Sequence, residues 1–207
     1  MTRRAEQKRR THARVLESAR QCFRDEGYDG TTIAKVAARA EVASGTVIAH
    51  FPDKPSLAAA SFHAEIDQAM DEGFRTLAPG PPLDGLVHLS LCLYRWYASQ
   101  PELTSALLQH TLFLDGPSGA DSHAQLMRFL ERVGVLLAPC VPPQHQERLP
   151  ILCQAYFVDY FGVLVAGLRE SRQTGVFDLN DAETRLRGLL ELRWASLGSV
   201  RTALGES

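Results

Sequence analysis

The sequence has few sulfur atoms to work with. Its 207 residues include four cysteines and three methionines, and no two cysteines stand at metal-binding or redox spacing. Cys22, Cys92, Cys140 and Cys153 lie far apart, which argues against a disulfide scaffold and for reduced thiols in the cytoplasm. No GxSxG, HExxH, P-loop or dinucleotide glycine pattern is present, so no enzyme class is indicated. No catalytic residue, metal site or cofactor is expected. The opening "MTRRAEQKRRTHAR" has no apolar core of a secretory leader. Residues 149–168 alone are apolar enough to mimic a membrane span. Gln154 and Asp159 interrupt them, and a charge near mid-span is costly in lipid, so a helix buried between protein surfaces is expected. An acid inside that helix should meet an arginine or a tyrosine, or face a cavity.

What remains is ordinary globular composition, 45% hydrophobic and 22% charged, in a length that suits one domain or two small ones. The net charge of −2 conceals an asymmetry. Residues 1–60 carry 11 Lys and Arg against 7 Asp and Glu, and the rest carry 11 against 17. A basic head on an acidic body suggests a polyanionic partner for the head.

The periodicity is helical throughout, with no strand-length alternation between turn signals and no internal repeat. Val15, Leu16, Ala19 and Phe23 mark one face of a first helix, and Gly27 is placed to end it. Thr32 can cap a second helix with Ile33, Val36, Ala37 and Ala40 on one face. A short third helix spans about 44–50 and stops before Pro52, and Asp53 caps a fourth that reaches about residue 77. "APGPP" at 78–82 is the clearest break. Further helices are predicted near 83–99, 101–114, 121–138, 144–173 and 181–201.

Residues 31–54, "TTIAKVAARAEVASGTVIAHFPDK", read as a helix-turn-helix. The apolar faces of its two helices would close a small core with Val42, Val47, Phe51 and the first helix. The other face of the third helix offers Ser44, Gly45, Thr46 and Ala49, side chains small enough to let a helix sit deep in a major groove. Lys54, at the positive end of a helix, is locally unfavourable unless a phosphate docks there. Thr31 and Thr32 would present hydroxyls to phosphate, and the run Arg3, Arg4, Lys8, Arg9, Arg10 and Arg14 leads into the motif. The expected DNA-binding residues are Thr31, Thr32, Lys35, Ala43, Ser44, Gly45, Thr46, Val47, Ala49, His50 and Lys54.

In "GYDGTT", "IAKVAARAEV", "SGTV" and "HFPDKPSL" the sequence resembles the DNA-binding domain of the TetR family of transcriptional regulators, over roughly residues 10–60. The resemblance implies an all-α fold of about nine helices. A helix-turn-helix domain at 1–54 would stand before a ligand-binding and dimerisation domain at 55–207. It also implies a homodimer on a palindromic operator in double-stranded DNA, most often a repressor released by a small-molecule effector. Three positions depart from the family pattern: Glu41 replaces a turn glycine, Ala43 a capping serine and Ile48 a phosphate-binding tyrosine. Glu41 then has to adopt a left-handed conformation, capping is left to Ser44, and Ile48 can reach only sugar or a thymine methyl.

The body is less legible. The 83–99 segment is apolar nearly all round and should be buried centrally. His88, Cys92, Tyr94, Trp96, Tyr97, His110, Phe113, Phe129, Tyr156, Phe157 and Tyr160 are candidates to line a cavity for an apolar or aromatic effector, or simply to fill a core. Leu186, Leu189, Leu190, Trp194 and Leu197 form an apolar stripe that the resemblance assigns to a dimer interface. Two rivals stand beside this reading: an enzyme that uses the cavity, and a DNA-binding regulator without a small-molecule effector.

Overall fold

The computed structural model describes the backbone of residues 3–111 and 116–203, and side chains over 3–109 and 119–193. Among the described residues nine α-helices and two short 3-10 turns occur, with no strand. The helices are α1 (Arg3–Gly30), α2 (Ile33–Arg39), α3 (Ser44–His50), α4 (Lys54–Arg75), α5 (Pro82–Ala98), α6 (Pro101–Thr111), α7 (Gly116–Leu137), α8 (Leu149–Thr174) and α9 (Leu179–Ala203). By contact the chain forms two compact units, one of residues 1–68 and 102–125, the other of residues 69–101 and 126–207.

In the first unit, local chemistry sets the element ends. Gly27 breaks α1 with a φ of 72°, a conformation glycine adopts without the clash a Cβ would bring. The Thr32 hydroxyl accepts from the Lys35 amide at 3.2 Å and caps α2 as expected. Asp53 caps α4 by accepting from the Ser56 amide at 2.7 Å. Ser44 does not act as the cap of α3: it is the first helical residue, Ala43 holds the cap position, and no side chain bonds there. The core joins Val15, Ala19 and Phe23 of α1 to Val36 and Ala37 of α2, Val47 of α3 and Leu57 and Phe62 of α4, all buried. Burying the valine, leucine and phenylalanine side chains among them stabilises by about 1.5–3 kcal/mol each.

The second unit is built on α5, α7, α8 and α9. Leu86, Leu89, Leu93 and Tyr94 of α5 are buried, in keeping with an apolar central helix. The Tyr94 hydroxyl donates to the Tyr160 carbonyl at 2.7 Å, and the two rings stack 5.2 Å apart. The Tyr156 hydroxyl shares a 2.8 Å hydrogen bond with Ser90. These partners satisfy phenols that burial would otherwise penalise. The chain turns from α8 to α9 through Gly175, which caps α8 in the left-handed region, and Phe177 lies against Gly167.

α8 is long and apolar enough to cross a membrane. It nevertheless buries Tyr156, Tyr160, Leu164 and Leu168 within its unit and carries Asp159 in an ion pair with Arg193 of α9. Those are the properties of a core helix, and they supply the partner that the acid was expected to have.

Candidate nucleic-acid interface

Two anchors fix α3 in place. Val47 and Phe51, 0% and 3% exposed, bury its inner face. The turn before it passes through Glu41 at a φ of 52°, the left-handed conformation expected where a glycine would be easier. The outer face presents Ser44, Gly45, Ile48 and Ala49 to solvent, with Thr46 and His50 half-buried. Ile48 is 52% exposed, the largest apolar surface on this helix. The exposed face is therefore small, mostly neutral and rigidly held.

Two expected contact residues do not face outward. Val47 belongs to the core. Thr31 is fully buried and donates its hydroxyl to the Gly27 carbonyl at 2.8 Å, so it tightens the turn after α1 instead of offering a donor to phosphate. Thr32, Lys35 and Ala43 are exposed. The Lys35 ammonium pairs with Glu26 and donates to the Gly30 carbonyl. Lys54 donates to the Tyr28 carbonyl at 3.0 Å and lies 4.3 Å from the centre of the Tyr28 ring, so its charge is held at the start of α4 by a carbonyl and a π face. Arg3, Arg4, Lys8, Arg9, Arg10 and Arg14 all lie exposed along α1, where Arg10 pairs with Glu6.

One neighbour was not foreseen. The His12 ring of α1 sits 5.4 Å from His50 and 5.1 Å from Phe51, beside the end of α3. Burial holds the His12 pKa below the ordinary histidine value, and His50 and Lys8 lower it further. No local pattern joins residues 38 positions apart, so this pairing could not be read from spacing.

In the second unit the aromatic candidates fill the core. Tyr94, Phe129, Tyr156 and Tyr160 are buried and pack on one another. Burial pushes the tyrosine hydroxyls of this cluster well above the ordinary phenol range. Trp96 packs edge-on against Tyr97. His88 bonds Thr76 Oγ1 at 2.9 Å and the Gly73 carbonyl at 3.2 Å, with Cys92 Sγ 3.7 Å from the same nitrogen. Among the described residues no three His, Cys, Asp or Glu side chains are grouped to hold a metal. The side chains of His110 and Phe113 lie outside the described residues. Of the candidates, Phe157 lines an open groove of about 810 Å³ between α7 and the first turns of α8. The stripe on α9 also divides: Leu186 and Leu190 are fully buried in their own chain, Leu189 is 42% exposed, and the side chains of Trp194 and Leu197 lie outside the described residues.

Residues 15–60 match the sequence pattern of the bacterial regulatory proteins of the tetR family. No curated protein matches the chain. Among solved structures, a TetR transcriptional regulator from Rhodococcus sp. RHA1 is 26% identical with a TM-score of 0.66, covering 90% of this chain and 96% of its own. FadR of Thermus thermophilus, a TetR-family transcriptional repressor in complex with lauroyl-CoA, is 21% identical with a TM-score of 0.65, covering 86% of this chain and 93% of its own. FadR of Bacillus subtilis in complex with stearoyl-CoA is 15% identical with a TM-score of 0.64, covering 86% and 97%.

Proposed function

We propose, for a chain that carries the TetR-family DNA-binding domain and folds as TetR-type regulators do, the role of a cytoplasmic ligand-responsive repressor. The observation that carries this reading is the rigid α3 with its exposed face of Ser44, Gly45, Ile48 and Ala49. A helix anchored on one side and small on the other can enter a major groove. Lys54, Thr32 and the basic run on α1 would contact phosphate, and contacts of that kind position the protein without reading sequence. Residues 1–54 would thus read DNA, and residues 55–207 would pair the chain and take an effector.

Pairing follows from the reach that DNA demands, since two short recognition helices must enter successive major grooves about 34–36 Å apart. Support comes from apolar side chains left uncovered on α8 and α9. Ile151, Val158 and Val165 recur every seven residues along α8 at 66%, 59% and 43% exposure, and Leu192 of α9 is 73% exposed. This stripe, with Leu189, takes the place of Leu186 and Leu190 in the reading of a homodimer. An effector would act by favouring a spacing of the two recognition helices that no longer fits a palindromic operator.

The chemistry of the effector follows the apolar groove beside Phe157. The acyl-CoA complexes of the FadR structures make a ligand of apolar bulk a reasonable class to test. A regulator without an effector is the second reading, favoured by the closely packed tyrosines of the core. Genomic fragments retained by the purified full-length chain decide the matter. Retention of a palindromic site, weakening steeply with salt and uniformly on removal of residues 1–10, is expected. Affinity independent of salt would overturn the reading.

A further inference from the structure

We infer that the groove between α7 and α8 selects an amphiphile with a cationic head, and discriminates against fatty acids and their coenzyme A thioesters. The inference rests on the proposed effector-binding role of the body and narrows its ligand. The groove holds about 810 Å³, within the range of small-molecule sites. Its walls are nearly all apolar, with Leu126 and Leu130 from α7 facing Leu149, Cys153 and Phe157 from α8. An aliphatic or aromatic body would be desolvated there.

The charge on the walls is of one sign. Glu131 is the single ionisable carboxylate among the thirteen lining residues, and no lysine, arginine or histidine is among them. Glu131 is exposed, and among the described residues no salt bridge or hydrogen bond occupies its carboxylate. Gln146 spends its amide N–H groups on the Ala138 and Val141 carbonyls, so its own carbonyl is what remains to face a ligand. Glu131 is thus the one charged group on the walls, beside the neutral amides of Gln146 and Gln154. A carboxylate or phosphate bound there would meet Glu131 with no lining cation to offset it. An alkylammonium head would pair with it.

The test uses matched probes on the full-length chain without DNA: decyltrimethylammonium and decanoate, each below its micelle concentration, by titration calorimetry. The cation should bind roughly tenfold more tightly than the anion, since attraction in one case and repulsion in the other each contribute a few-fold at an exposed site. Glu131→Gln should bring the two affinities together. Gly134→Leu, which places a branched side chain where an added Cβ already lies 3.6 Å from Cys153 Sγ, should weaken both. Decanoate binding as tightly as the cation, or a cation preference unchanged in Glu131→Gln, overturns the inference, as does absence of binding by either probe. Operator release is read separately: a cation that binds but leaves DNA affinity unchanged preserves the groove assignment and overturns its role as the effector site.

Discussion

Arg193 of α9 donates from Nε and Nη2 to the two carboxylate oxygens of Asp159 on α8, each at 2.8 Å. Asp159 is 8% exposed, and its carboxylate raises the Arg193 pKa further above the ordinary range. Breaking such a pair from one side strands a charge. Arg193→Leu should lower unfolding free energy by about 2–3 kcal/mol, at or just below the roughly 3–5 kcal/mol of a fully buried pair because Arg193 keeps access to water. Joining it with Asp159→Leu should recover most of that loss. Urea denaturation of the three chains tests the order, and a double variant no more stable than Arg193→Leu would show that packing, not charge, is at stake.

Glu41 provides a test of backbone strain. A left-handed glutamate costs roughly 1–2 kcal/mol relative to glycine before glycine's own loss of freedom is counted. Glu41→Gly should therefore stabilise the chain by about 1 kcal/mol, seen as a higher urea midpoint with an unchanged slope. A lower midpoint would mean that the carboxylate makes a compensating contact.

Burial of His12, reinforced by His50 and Lys8, makes stability depend on pH. With its folded pKa depressed, His12 binds fewer protons folded than unfolded once the pH falls below about 6.5. Its contribution is intact above that value and is lost as the pH falls from it through the lower folded pKa. His12→Phe should reduce the fall in melting temperature between pH about 7.5 and about 5.5. Parallel curves for the two proteins would dissociate His12 from the effect.

Ile48 lies on the face proposed to meet DNA. A tyrosine there would add one hydrogen bond to phosphate, worth roughly 1–2 kcal/mol before ordering costs. Phosphate contacts carry no sequence information, so Ile48→Tyr should tighten matched and mismatched sites by similar factors. Affinities at one fixed salt concentration are the measurement. A change confined to their ratio would mean that Ile48 reads a base.

Local chemistry made the helix-turn-helix region legible. The caps at Thr32 and Asp53, the break at Gly27 and the strained turn at Glu41 each depend on a few neighbouring residues, and each stands where the sequence put it. Thr31 misled because one position separates a buried hydroxyl from an exposed one at a helix start. The body was harder for a different reason. Tyr94, Tyr156 and Tyr160 carry the same polar tips whether they face a ligand or one another, and only long-range packing chooses. Leu186 and Leu190 lie one turn apart on a stripe that could equally face a partner, and the fold turns it inward. His12 meets His50 from another helix, 38 positions away, where no periodicity reaches.

The bare backbone of Gly167 is the seat of the Phe177 ring: a Cβ added there would lie 2.6 Å from Cε2 of that ring. The two positions consequently share one volume, and neither can drift in sequence alone. Gly167→Ala should destabilise by about 1–3 kcal/mol through overpacking, and Phe177→Leu in the same chain should return part of it. Coupling of this kind is an evolutionary constraint as much as a mechanical one. Chains sharing this hairpin should vary the two sites together, with side-chain bulk gained at position 167 only where it is surrendered at position 177.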